Sequence, residues 1–118
     1  MISMREAYEK IGANYEDACA RLMGEEMLSR FALKFLDDES MDKLEAAMAA
    51  GDAEGAFMAA HTLKGVSQNL GFDNLYEPAV VVTEALRGAD AVDGAREGRH
   101  ALQQQYAATM SALREAAE

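Results

Sequence analysis

The chain has no tryptophan, one proline and one cysteine among its 118 residues. A single proline leaves nearly all of the chain free to form unbroken helix. A single cysteine, Cys19, rules out an intramolecular disulfide. It lies between Ala18 and Ala20 in a helical segment and reads as a small core residue. Cations are scarce as well: 11 Lys and Arg face 21 Asp and Glu, a net charge of −10. That excess repels phosphate backbones and argues against a nucleic-acid partner. It suits a protein partner carrying a complementary patch. No apolar run approaches the roughly 20 residues that span a membrane. The start, Met1-Ile2-Ser3-Met4-Arg5-Glu6, has no apolar signal core. The expected setting is the reduced cytoplasm, away from membranes. There is no glycine-rich nucleotide loop and no pair of carboxylates in a metal-site pattern. The chain is therefore not expected to hold ATP, Mg²⁺ or any other cofactor of its own.

What is present is alanine and helical periodicity. Half of the residues are hydrophobic, and the length suits one domain, residues 1–118. Such a domain buries somewhat over roughly 60% of its unfolded surface. Ser3 and Glu6 form a capping-box pattern for a short helix to about Lys10, which Gly12 ends. Asn14 is a good N-cap for a second short helix through Leu22, although one longer kinked helix fits equally well. Either way the segment covers one end of a bundle. Glu25 to Ala50 reads as one helix with room for a bend. Leu28, Phe31 and Phe35 make one stripe. Met41, Leu44 and Met48 make another, rotated by about 120° in an ideal helix, with Asp37-Asp38-Glu39-Ser40 between them. Gly51-Asp52 is a stop-and-start pair. After Gly71, Asp73 is read as the cap of a helix carrying Leu75, Ala79, Val82 and Leu86. Pro78 should loosen or bend its first turn. Val80-Val81-Val82 offers a strand as the competing reading, but no other segment would pair with it. Gly88 ends this helix, and Asp90 or Asp93 caps the last one. There Val92, Ala95, Arg99, Leu102, Tyr106, Thr109 and Leu113 form a bundle seam. Arg99 breaks the seam, as if the helix projects past the others there. Helices joined by short turns predict an all-α fold: an antiparallel up-down four-helix bundle with a short N-terminal helical extension.

One stretch, Phe57 to Gly71, carries the chemistry. At about 100° per residue, Ala56, Ala59, Ala60, Leu63 and Leu70 fall on one face, with Val66 at its border. His61, Lys64, Gly65 and Gln68 fall on the other. Lys64 and Gly65 lie three and four residues from His61 and are its neighbours on the helix surface. The result is an outward imidazole, a cation beside it, and a missing side chain next to both. A mid-helix glycine costs roughly 1 kcal/mol against alanine, so Gly65 calls for a reason. The second histidine, His100, falls off the seam of its helix and reads as solvated.

Ala60-His61-Thr62-Leu63-Lys64-Gly65, followed by Asn69-Leu70-Gly71, resembles the core motif of histidine phosphotransfer (HPt) domains. The resemblance covers roughly Tyr15 to Leu113. It implies a four-helix bundle with the active histidine exposed midway along one helix, working as a monomeric phosphorelay intermediate in two-component signal transduction. His61 would accept a phosphoryl group from the phospho-aspartate of one receiver domain and pass it to another. A histidine kinase, free-standing or hybrid, stands upstream, and the receiver supplies Mg²⁺. No turnover chemistry of its own is expected. The chain carries no kinase or receiver, so it reads as a stand-alone relay protein or an excised domain.

The residue chemistry fits that role. Neutral imidazole is a good nucleophile near pH 7. Lys64 can set an ammonium against the phosphoryl oxygens, Gly65 leaves the surface open for a partner, and Gln68 can donate a further hydrogen bond. Phe57 and Met58 flank the histidine face. They serve either as an apolar docking rim or as packing against neighbouring helices. The nearest carboxylate on the same face is Glu54, about two turns away. Thr83, on the next helix, falls where some family members place a longer polar side chain. Two rival functions remain. One is an interaction module that binds and sequesters a receiver or kinase without carrying phosphate. The other is a metal-binding bundle, which lacks the expected Glu-x-x-His pair because position 58 is Met58.

Overall fold

The computed structural model describes residues 1–117. Among them there is no strand. The α-helices are α1 (Met4–Ile11), α2 (Tyr15–Arg21), α3 (Glu25–Lys34), α4 (Ser40–Ala49), α5 (Ala53–Asn69), α6 (Asp73–Leu86) and α7 (Arg96–Ala117). Short 3₁₀ turns, Phe35–Asp37 and Asp93–Ala95, precede α4 and α7. The fold is all-α, a helical bundle in which α5 lies between α4 and α6, α6 packs on α7, and α1 lies along α7.

Local chemistry sets most boundaries. The Ser3 hydroxyl accepts from the Glu6 amide at 3.0 Å and the Glu6 carboxylate accepts from the Ser3 amide at 3.1 Å, the expected capping box. Asn14 and Asp52 accept from Asp17 and Gly55 amides in the same manner, opening α2 and α5. The N-terminal segment is two helices rather than one. It seals the turn between α5 and α6. The buried Tyr8 hydroxyl donates to the Leu70 carbonyl at 2.7 Å, and the Asn14 amide to the Gly71 carbonyl at 2.7 Å. Gly71 has φ of +69°, and a Cβ there would fall 2.6 Å from the Asn14 carbonyl oxygen. Only glycine both turns the chain and admits that approach.

The stretch Glu25 to Ala50 is not one helix. It breaks between Phe35 and Glu39. The Asp38 carboxylate accepts from the Ser40 amide and hydroxyl, each at 3.0 Å, a side-chain turn that competes with helix. The Tyr106 hydroxyl on α7 then fixes the break by donating to the Asp38 carboxylate at 2.8 Å. The change of direction lets Phe35 and the Met41, Leu44, Met48 stripe all enter the core. Phe31 does not enter it and remains 39% exposed. It lines an open apolar groove with Leu22, Phe35, Val66 and Leu70.

Three other expectations need correction. Asp73 is the first residue of α6, not its cap. Phe72 occupies the cap position without a side-chain bond, because its ring is fully buried against Tyr8 and Phe35. Asp73 still places a carboxylate at the positive end of the helix dipole. Neither Asp90 nor Asp93 caps α7. Asp93 opens the 3₁₀ turn that leads into it, and its carboxylate takes the Arg96 guanidinium at 3.0 Å. Arg99 does not mark a projecting end. Its guanidinium meets both Glu45 carboxylate oxygens, at 3.0 and 2.9 Å, and ties α7 to α4. Helix α6 runs unbroken through Pro78 and the valine run, with Val82 buried and Val81 exposed.

Candidate functional site

Helix α5 presents the site. Asp52 caps its start, and Leu70 and Gly71 close it. Ala53, Ala56, Ala59, Ala60, Leu63 and Ser67 are buried, so the alanine and leucine face turns inward against α4 and α6. The opposite face must turn outward, and it does. His61 and Gln68 are exposed, Lys64 is half-buried, and Val66 sits at the border.

Phe57 is half-buried against the core, one turn before His61, and the two rings stack. Their centroids lie 5.8 Å apart with 17° between the planes. The apolar ring therefore holds the imidazole on one side and leaves the rest of it to solvent. Met58 is 57% exposed. Lys64 makes no hydrogen bond or ion pair among the described residues, so its ammonium is free for an incoming anion. A Cβ built on Gly65 would meet nothing within 4 Å. That position is open space beside the imidazole.

Helix α6 brings two charged groups that a reading of α5 alone misses. The Glu84 carboxylate accepts from Nε and Nη2 of Arg87 at 2.9 and 3.1 Å. The Arg87 guanidinium carbon lies 5.1 Å from the centre of the Phe57 ring. Hydrogen bonds from Arg87 hold the Glu84 carboxyl below its usual range, with Lys64 adding to the effect through its charge. Glu84 thus sits within the field of cations from both helices. The i, i+3 spacing of Glu84 and Arg87 was visible in the chain. Which face of α6 meets Phe57 was not. Thr83, by contrast, is fully buried and donates to the Ala79 carbonyl at 2.7 Å. It turns into the bundle, not toward His61. His100 is exposed on α7.

Among the described residues, no group of three or more His, Cys, Asp or Glu is placed to hold a metal ion. None of their helices is long and apolar enough to cross a membrane.

The bundle thus presents a histidine from the middle of α5, beside a lysine and an open glycine. The family model for the Hpt domain matches residues 35–116. The match begins at Phe35 rather than Tyr15, takes in α4 to α7, and covers well over half of the chain. This chain belongs to the Hpt domain family. Hpt domains are phosphocarrier modules of two-component phosphorelays, where they work with receiver domains and histidine kinases. No curated protein and no solved structure matches the chain.

Proposed function

We propose that this protein is a phosphorelay intermediate that carries the phosphoryl group on His61. The observation that carries the reading is the exposed imidazole on α5 with Lys64 three residues on and open space at Gly65. In the loading step an unprotonated imidazole nitrogen attacks the phosphorus of a receiver's aspartyl phosphate. The nitrogen–phosphorus bond forms as the bond to the aspartyl oxygen breaks, and the carboxylate leaves with the electron pair. The second step reverses this on the aspartate of another receiver.

Positioning and charge compensation are the protein's share of phosphoryl transfer. Lys64 offsets charge on the equatorial oxygens, and Gln68 donates to one of them. Gly65 allows the receiver's backbone to approach in line with the scissile bond. Met58 and the exposed edge of Phe57 form the apolar rim that docks the receiver. Mg²⁺ arrives with the receiver.

The test is to mix the protein with a receiver domain charged by acetyl phosphate in the presence of Mg²⁺. An acid-labile, base-stable label should appear on the protein. His61→Gln should abolish it while circular dichroism keeps its helical signal, and His100→Gln should behave as wild type. A label that survives His61→Gln overturns the assignment. Stable receiver binding without any label would favour the sequestering module instead.

A further inference from the structure

The chain has eight methionines, and their surroundings differ. Met4, Met41, Met48 and Met110 are buried in the core. Met27 is half-buried, and its sulfur accepts from the Arg30 guanidinium at 3.9 Å. Met1, Met23 and Met58 are exposed. Met1 precedes α1, and Met23 lies in the turn before α3. Met58 alone belongs to the helix that carries His61. It stands three residues before the histidine, which makes the two neighbours on the helix surface. It also stands seven residues before Gly65, which sets both on one edge of α5. At 57% exposure the Met58 side chain is open to solvent.

Folding gives sulfur no advantage at this position. Leucine matches methionine closely in helix propensity and in volume, and it supplies the same apolar surface. What methionine adds is chemistry. An exposed thioether is oxidised to a sulfoxide, and sulfoxide reductases undo the change. With a hydroperoxide as oxidant, a lone pair on Sδ attacks one peroxide oxygen. The S–O bond forms as the O–O bond breaks. The departing oxygen takes the bonding pair and a proton and leaves as water or an alcohol. Sulfur gives up two electrons, and the peroxide gains them. The product sets a polar acceptor where an apolar atom stood. Free in solution, water satisfies that acceptor and the bundle is undisturbed. Under a docked partner the water is lost, and an unpaired polar group is costly to bury.

We propose that Met58 is a reversible oxidation site through which hydroperoxides slow phosphoryl transfer at His61. In the thioether form, Met58 offers a receiver an apolar contact one turn from the imidazole. In the sulfoxide form, the same side chain opposes docking and leaves His61 itself intact. Reduction by a thiol-dependent sulfoxide reductase restores the contact and releases water. The four buried methionines are sheltered from the oxidant by the core, so the change at Met58 needs no unfolding. The switch rests on the reading of His61 as the phosphoryl carrier and of Met58 as part of the rim that meets a receiver.

The experiment treats the full chain with hydrogen peroxide and then with dithiothreitol, which returns oxidised Cys19 to the thiol but leaves sulfoxides in place. Peptide mass spectrometry should find Met58 oxidised and the four buried methionines intact. Labelling of His61 is then followed with two donors, phosphoramidate and a charged receiver. Oxidation should slow transfer from the receiver about fivefold to tenfold, the low end of the cost of burying an unpaired polar group. Labelling by phosphoramidate, which needs no docking, should be unchanged. Methionine sulfoxide reductases should restore the receiver rate. Met58→Leu, compared with its own untreated rate, should be indifferent to peroxide. Met58→Gln, polar without oxidation, should take phosphate from the receiver more slowly than Met58→Leu. If Met58 resists the oxidant, or its oxidation leaves the receiver rate unchanged, or Met58→Leu loses as much as the parent on treatment, the switch is overturned and the assignment of His61 stands. If neither donor labels His61 in the untreated protein, both fall.

Discussion

The Phe57 ring lies stacked on the His61 imidazole, one helical turn away, with 17° between the two planes. The pair spans the boundary between core and solvent. Phe57 is half-buried against the bundle, while His61 is exposed. An aromatic anchored in the core thus limits the orientations open to the imidazole.

Two substitutions separate packing from positioning at this pair. Phe57→Leu keeps most of the apolar contact but removes the flat surface under the imidazole. It should cost under about 1 kcal/mol in urea unfolding and slow receiver-dependent labelling of His61 several-fold. Phe57→Ala should show the same slowing with a stability loss of about 1–3 kcal/mol, below the range for fully buried phenylalanines. Labelling at the wild-type rate in Phe57→Leu would remove the stack from the mechanism.

The break before α4 is a second testable feature. The Asp38 carboxylate binds the Ser40 amide and hydroxyl and the Tyr106 hydroxyl. Asp38→Ala leaves the Ser40 amide and hydroxyl without their acceptor and the Tyr106 hydroxyl with only the Asp38 carbonyl, 3.1 Å away, and net losses of about 1 kcal/mol per hydrogen bond predict a destabilisation of roughly 2–3 kcal/mol. Tyr106→Phe, which removes one donor, should cost about half as much. Chemical denaturation of the two variants checks the ratio. Near-equal, negligible effects would mean that α3 and α4 are held apart by packing alone.

That break was illegible for a physical reason. Caps and stops written in neighbouring residues were readable: Ser3 with Glu6, Asn14, and Gly51 with Asp52 all act as their local chemistry dictates. So was the face of α5, because the alternation of alanine and leucine with His61, Lys64 and Gln68 is internal to one helix. What failed depends on distant partners. Asp38-Glu39-Ser40 is compatible with helix until Tyr106, 68 residues away, takes hold of Asp38. Asp73 looks like a cap until the burial of Phe72 shifts the register by one. Arg99 looks like an interruption until Glu45 meets it. Glu84 and Arg87 reach the site only because of how α6 is rotated against α5, which no single-helix pattern contains.

Alkaline pH should destabilise the bundle through its tyrosines. Burial raises the pKa of Tyr8 and Tyr106 well above the usual phenol range, and for Tyr106 the Asp38 hydrogen bond adds to the rise. The folded protein thus retains protons that the unfolded chain releases above about pH 10. With fewer protons bound in the unfolded state, stability is full below that pH and falls as pH rises beyond it. Denaturation midpoints measured from pH 8 to 11 should decline at the upper end, and less steeply in Tyr106→Phe. A slope unchanged by that variant would place the alkaline sensitivity elsewhere.

Gly65 should set stability against function. Its backbone is helical and an added methyl group would meet nothing within 4 Å, so Gly65→Ala should gain about 0.5–1 kcal/mol from helix propensity alone. The residue is thus retained against a stabilising alternative, which the fold by itself does not explain. The proposed function supplies an explanation, approach: a side chain here stands beside the imidazole, where the proposal brings in a receiver's backbone. Gly65→Gln should therefore fold with at least wild-type stability and accept phosphate from phosphoramidate at the wild-type rate, because the small donor needs no docking. Transfer from a charged receiver should fall tenfold or more, about 1.4 kcal/mol of lost transition-state stabilisation. Equal loss with both donors would show that the added side chain disturbs His61 itself, and no loss with either would leave the glycine without a role in docking.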